Sequence, residues 1–284
     1  AAVMIFNALI QIPLSGCLIL GWAGLPAMGI SGAAISAVIS AAILCVPLFF
    51  RLVKSDFPVH LRRSAMMFSK SDFNDILQVA LPGSLSPLLT IATVLVLTAF
   101  VATFGEAALA GYGIGSRIEF LIIPLVFGLG AAMTSAVGVS VGAGDLGRAE
   151  RLGRVGGLSA GLVAGLVGIV LALFPDAWIG AFTDVPAVHA AAKGYIQIVG
   201  PFFFFHGLGL SLYFASQGAS AMLWPVWATV LRVVVAALGA YLLAFVLGFG
   251  LSGIYIAAAG AMLTYALVIA VAIRAGAWRR ANKI

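Results

Sequence analysis

Charge is what this sequence has least of. Only 8% of its 284 residues are Asp, Glu, Lys or Arg, against roughly a quarter in a soluble domain. A chain so poor in charge cannot clothe itself for water. A soluble domain is therefore excluded, and the surface must face lipid. Cysteine is scarce as well. Cys17 and Cys45 both lie inside apolar runs, which argues against a disulfide framework and against a metal site. The chain does not open with a basic start, a short apolar core and a cleavage site, so no signal peptide is read. It opens at Ala1, directly in an apolar run, and reads as a partial chain. The short alternating segments of a membrane β-barrel are missing too.

What is present is apolar length. Hydrophobic residues make up 63% of the chain, the mean hydropathy is +1.19, and the apolar runs are long and continuous. Such runs cross lipid as helices, because a helix closes its backbone hydrogen bonds within itself. At about 20 residues per span plus a connection, the length allows about eight. The chain is therefore expected to be all-α, a polytopic membrane bundle. Spans are expected at roughly 2–20, 29–50, 75–103, 111–141, 152–174, 190–216, 224–247 and 251–273.

Lys and Arg set the orientation. Alternate connections hold Arg51, Lys54, Arg62, Arg63 and Lys70, then Arg148, Arg151 and Arg154. Arg232, just inside a helix, and the tail residues Arg274, Arg279, Arg280 and Lys283 join the same side. Only Arg117 and Lys193 fall elsewhere. Both chain ends are thus expected in the cytoplasm, and the net charge of +6 reflects topology rather than nucleic-acid binding. An internal repeat is also visible: Gly29-Ile30-Ser31-Gly32 resembles Gly250-Leu251-Ser252-Gly253, 221 residues later. Both segments follow a short outer turn and lead into small-residue helices, so the repeat is parallel.

The stretch Ala107 to Arg154, AALAGYGIGSRIEFLIIPLVFGLGAAMTSAVGVSVGAGDLGRAERLGR, resembles the eighth helix and following turn of the multidrug and toxic compound extrusion (MATE) family. GWAGLPAMGISGAA from Gly21, LPGSLSPLL from Leu81 and FPDAWIGAFTDVPAV from Phe174 resemble further pieces of that family, in order. The resemblance implies a two-lobed architecture of which this chain carries helices five to twelve, with the first four missing. Roughly 1–50 would be the end of one lobe, 51–74 a cytoplasmic connection, 75–273 a six-helix lobe and 274–284 a cytoplasmic tail. It implies a transporter, not an enzyme, in the bacterial inner membrane, acting as a monomer when full length. It would exchange cationic or amphipathic small molecules for H+ or Na+, with no cofactor and no nucleic-acid partner, and its lobes would rock. Sodium-coupled members carry acids in helices seven and ten. Here 75–103 and 190–216 have none in their cores, which argues against a sodium site in this lobe.

Two motifs are weighed and set aside. Gly142-Ala143-Gly144-Asp145-Leu146-Gly147 matches GxGxxG but follows a span rather than a strand, and reads as a tight turn. Gly157-Leu158-Ser159-Ala160-Gly161 matches GxSxG, and with His206 it could suggest an intramembrane serine protease. Its small residues every four positions, Gly157, Gly161 and Gly165, read instead as a helix-packing stripe. Pro82, Pro87, Pro124 and Pro201 each remove a backbone hydrogen bond inside a span, and are either static kinks or hinges for alternating access.

Ionisable groups inside spans are costly and so are candidates for function. Glu119 is the sharpest: a carboxylate there could load a proton or hold a cation, or else form a structural ion pair. Arg117, two positions away, does not share its face and is expected to anchor the outer helix end. His206 is expected to hydrogen-bond across helices, and Arg232 to snorkel toward the inner surface. The rivals are a lipid-linked oligosaccharide flippase, whose cavity would carry several basic residues where only Arg117 is central enough, the protease, and a channel.

Overall fold

The computed structural model describes residues 2–24, 26–53 and 69–281. Lys54, Arg62, Arg63 and Lys283, and with them most of the expected 51–74 connection, lie outside these. The chain falls into two units, Ala1–Lys70 and Ser71–Ile284.

In the first unit, α1 (Ala2–Leu20) and α2 (Gly29–Val53) form a hairpin. The second unit holds α3 (Lys70–Ala102), α4 (Glu106–Gly142), α5 (Leu146–Leu173), the short α6 (Pro175–Ile179) and α7 (Pro186–Val199). It continues with α8 (Phe203–Gly218), α9 (Leu223–Tyr241), α10 (Gly250–Arg274) and the short α11 (Ala277–Ala281). No strand occurs among the described residues. Among the described residues, seven segments are long and apolar enough to cross a membrane, and α1 contributes a shorter apolar stretch, Leu9–Leu20. Large apolar side chains such as Leu162, Leu166 and Leu173 stand outward on α5, where lipid rather than water can cover them.

Helix starts depart most from the sequence reading. Helix α4 begins at Glu106 and α5 at Leu146, about five residues before the expected spans. Hydropathy marks where lipid ends, whereas hydrogen bonding marks where a helix ends. Asp145 caps α5 by accepting from the Arg148 backbone N–H at 2.8 Å, so Arg148, Glu150, Arg151 and Arg154 all sit on helix. The GxGxxG match is this helix–turn–helix junction, with Gly144 at φ 76°, a conformation glycine adopts without strain.

The expected span 190–216 is two helices. Pro201 lies in a 3₁₀ turn, Gly200–Phe202, between α7 and α8. Lacking an N–H, it cannot bond the Gln197 carbonyl, and the α-helix stops. Helix α5 packs directly on the break: a Cβ at Gly168 would lie 2.0 Å from the Gly200 carbonyl oxygen. Further along the same face, a Cβ at Gly161 would meet the Phe204 carbonyl oxygen at 3.0 Å, and one at Gly207 would meet that of Ala160 at 2.6 Å. The GxSxG glycines are thus a packing stripe, and Ser159 faces outward.

The repeat has a physical basis. Gly29 and Gly250 both start their helices at positive φ, 55° and 58°. Gly32 and Gly253 then each press against the backbone of the preceding helical segment. A Cβ would lie 2.4 Å from the Leu18 carbonyl oxygen in one case and 2.7 Å from the Leu243 carbonyl carbon in the other. The residue before each helix donates its N–H across the same gap, Met28 to Leu18 at 2.9 Å and Phe249 to Leu243 at 3.0 Å. One difference separates the hairpins: α9 runs on into a π-helical segment, Leu242–Val246, which the sequence reading did not anticipate.

Candidate functional site

Inside the second unit, α3, α4, α7, α8, α9 and α10 surround a cavity of about 310 Å³. Helix α4 supplies Tyr112, Ser116, Glu119 and Ile123 to its wall, a spacing that keeps them on one helix face. Thr90, Thr93 and Leu97 come from α3, and Ala258, Ala261 and Met262 from α10. Tyr195, His206 and Arg232 complete the polar lining from α7, α8 and α9.

Glu119 is half-buried and open to this cavity. The Tyr195 hydroxyl donates a hydrogen bond to its Oε1. Tyr195 is held in turn by edge-to-face contacts with Tyr112, at 5.4 Å between ring centres, and with Tyr255, at 5.3 Å. Tyr255 donates to the Ala191 carbonyl at 3.2 Å. Tyr195 reaches α4 because that helix is bare at Gly115, where a Cβ would lie 2.4 Å from the Tyr195 ring. No cation stands within 4 Å of the Glu119 carboxylate among the described residues, so the ion pair weighed for it is not what holds it.

Arg117 faces away from Glu119, as the spacing requires. It is exposed, and its guanidinium carbon lies 5.2 Å from the centre of the Phe182 ring, outside the cavity. The central basic residue is instead Arg232, and here the sequence reading is corrected. Arg232 does not snorkel. It lies nine residues into α9, about 13 Å along the axis, and is only 7% exposed. It lines the same cavity as Glu119 and His206, so it cannot be counted with the cytoplasmic basic residues.

His206 is 5% exposed and also lines the cavity, but among the described residues it makes no hydrogen bond across helices, and neither ring nitrogen has a partner. Ser159 is exposed on α5 and does not line the cavity that His206 faces, so the protease pairing is not assembled. Of the prolines, Pro124 lies inside α4 one turn beyond Glu119 and leaves the Phe120 carbonyl without its usual donor. Pro87 does the same to Gly83 on α3, and there the Tyr213 hydroxyl of α8 donates to the freed carbonyl at 3.1 Å. Pro82 lies inside the same continuous helix. The tyrosines are what sequence reasoning missed: in an apolar run a tyrosine carries no signal until the helices are packed.

At the far end of the unit, α11 is tied down. Arg279 grips Glu150 of α5 through two hydrogen bonds of 2.8 Å, which raise the pKa of the arginine. Trp278 donates to Ser216 at 3.2 Å. At the opposite end of α5, Asp176 contacts His189 and Lys193, each at 3.2 Å.

Comparison with known proteins agrees with this architecture. The family model described as MatE matches residues 82–242, more than half of the chain. The probable multidrug resistance protein NorM of Thermotoga maritima is 28% identical over 224 residues, covering 79% of this chain and 48% of that protein. Its namesake in Aromatoleum aromaticum is 30% identical over 189 residues, covering 66% and 41%. The chain spans about half the length of the curated relatives it matches. Among solved structures, a MATE protein in the bent conformation aligns with a TM-score of 0.86 at 22% identity, over 100% of this chain and 63% of that one. An outward-facing multidrug resistance MATE family transporter of the MOP superfamily aligns equally well, with a TM-score of 0.86 at 22% identity over 98% and 62%. At such identity the structures speak for the fold, and the family match for descent: this membrane-helix bundle belongs to the MATE family.

Proposed function

We propose that the chain forms the cavity-bearing part of a secondary multidrug efflux antiporter in a bacterial inner membrane, expelling cationic or amphipathic compounds in exchange for protons. The observation that carries this is Glu119, a carboxylate on the wall of a mostly apolar cavity, held by one phenolic hydroxyl. Such a group is neutral with a proton bound or charged with a cation nearby, and cannot favour both at once. That exclusivity is antiport in its simplest physical form. The Tyr195 hydroxyl can donate to a carboxylate or accept from a carboxylic acid, so the exchange needs no rearrangement of heavy atoms. For sodium, by contrast, one carboxylate and one phenol supply few of the several oxygens a hard cation takes.

Alternating access needs a bend, and Pro201 in its 3₁₀ break is the most developed of the four proline candidates. The flippase reading is weaker, because a single guanidinium, that of Arg232, lines the cavity among the described residues. The test is Glu119→Gln in the protein expressed from its natural reading frame. Gln keeps size and hydrogen bonding and removes titration. Fold and surface expression should persist while gradient-driven efflux falls by about tenfold or more. Normal efflux across pH in a well-expressed variant would return Glu119 to a structural role.

A further inference from the structure

Among the described residues, Arg232 is a buried cation with no hydrogen-bond or ion-pair partner. No hydrogen bond or ion pair engages its guanidinium among the described residues; Nε is enclosed and unsatisfied. Its guanidinium carbon lies over the face of Tyr265, 5.6 Å from the ring centre. A guanidinium carries five N–H donors in a planar fork, and leaving such a group dry and unpaired is unfavourable. Beside it on the cavity wall stands His206, also more than nine-tenths buried, with both ring nitrogens unsatisfied. The opposing charge, Glu119, is more than 4 Å away and is already engaged by Tyr195. The cavity therefore presents two poles. One is a carboxylate under a phenol; the other is a free fork of donors beside an imidazole. Thr90 and Thr93 donate their hydroxyl protons to their own helix backbone, and no hydrogen bond joins either to Arg232 among the described residues.

We propose that Arg232 is a recognition residue for an anionic group on the transported molecule, so that this cavity takes zwitterionic amphiphiles, their cationic end toward Glu119 and their carboxylate toward Arg232. The proposal rests on the reading of the cavity as the transport site and narrows its substrate class. A planar fork matches a carboxylate through two parallel hydrogen bonds, and the apolar wall between the poles suits an aromatic or aliphatic body. A volume of about 310 Å³ admits a small amphiphile. A purely cationic ligand would satisfy Glu119 while facing an uncompensated guanidinium, which disfavours it.

The test is equilibrium binding of two matched fluorescent dyes to the detergent-purified protein expressed from its natural reading frame. Both are N-methylpyridinium aminostyryl dyes: one ends in a dimethylamino group and is a cation, the other carries a carboxymethyl group on that far amine and is a zwitterion with its charges at opposite ends. The zwitterion should bind about tenfold more tightly, the range of a charge-assisted bidentate contact. Arg232→Gln should bring the ratio to about one, without loss of folded protein. Arg232→Lys, which keeps the charge and loses the fork, should fall between; it decides the matter if the Gln variant does not fold. Ser116→Phe, which fills the cavity from α4, should weaken both dyes. If it does so while both Arg232 variants retain the wild-type ratio, the anion assignment is overturned and the transport site stands. If Ser116→Phe leaves both dyes bound as before, the cavity is not the substrate site, and the function proposed for it falls as well. A wild-type protein that shows no preference for the zwitterion also overturns the proposal.

Discussion

Gly115 decides whether Tyr195 can reach Glu119. With a Cβ there, 2.4 Å from the ring, the tyrosine must move, yet it is wedged between Tyr112 and Tyr255. Gly115→Ala should therefore destabilise the protein by about 1–3 kcal/mol through overpacking, against a gain of about 1 kcal/mol in helix propensity. Gradient-driven efflux should fall as it does in Tyr195→Phe, which removes the hydroxyl and leaves the ring. Thermal unfolding and vesicle efflux on both variants check this; unaltered efflux in both would disconnect the hydroxyl from coupling. Glu119 and His206 were legible in the sequence, because an ionisable residue in an apolar run stands out by its cost. Arg232 was visible but misplaced: nearness to a helix end along the chain was taken as nearness to water. Tyr195 and Gly115 were not legible as a pair, since their contact joins α4 to α7 and no spacing rule spans that distance.

Among the elements, α3 shows how a proline kink is stabilised from outside its own helix. Pro87 frees the Gly83 carbonyl, and Tyr213 on α8 takes it up. Tyr213→Phe should cost about 1 kcal/mol, typical of a hydrogen bond between membrane helices, and should loosen the lower part of α3. Hydrogen exchange at residues following Gly83 would report it; unchanged protection would mark the bond as incidental. The α5–α8 seam is less forgiving. Gly168→Val would drive side-chain atoms into the Gly200 carbonyl and should abolish folded protein, whereas Ser159→Ala on the outward face should be silent in expression and thermal unfolding. Apolar runs made the number and order of helices readable almost directly. Pro201 marks a kink in the sequence, but not that the chain passes through a 3₁₀ turn there, and the π segment at Leu242–Val246 leaves no mark in an apolar run.

For the molecule as a whole, lipid is the solvent, and sidedness is the property the charge pattern speaks to. Ala143, in the α4–α5 turn, and Ala187, at the start of α7, are both exposed. In a background lacking Cys17 and Cys45, an impermeant thiol reagent on intact cells should label Ala187→Cys and spare Ala143→Cys; the opposite pattern would invert the orientation. Removing Arg232 from the count leaves this expectation intact, since Arg148, Arg151 and Arg154 still follow Ala143 closely. The burial of Arg232 also bears on biogenesis. An arginine near the middle of a span opposes insertion by about 2.5–3.5 kcal/mol. Yet Leu223–Val246 is otherwise strongly apolar, with a mean hydropathy of 2.2, and its many Val and Leu side chains, each favouring insertion by about 0.3–0.6 kcal/mol, offset that penalty. The helix can thus leave the translocon for the bilayer unaided, carrying its cation into lipid before the other walls of the cavity have closed around it.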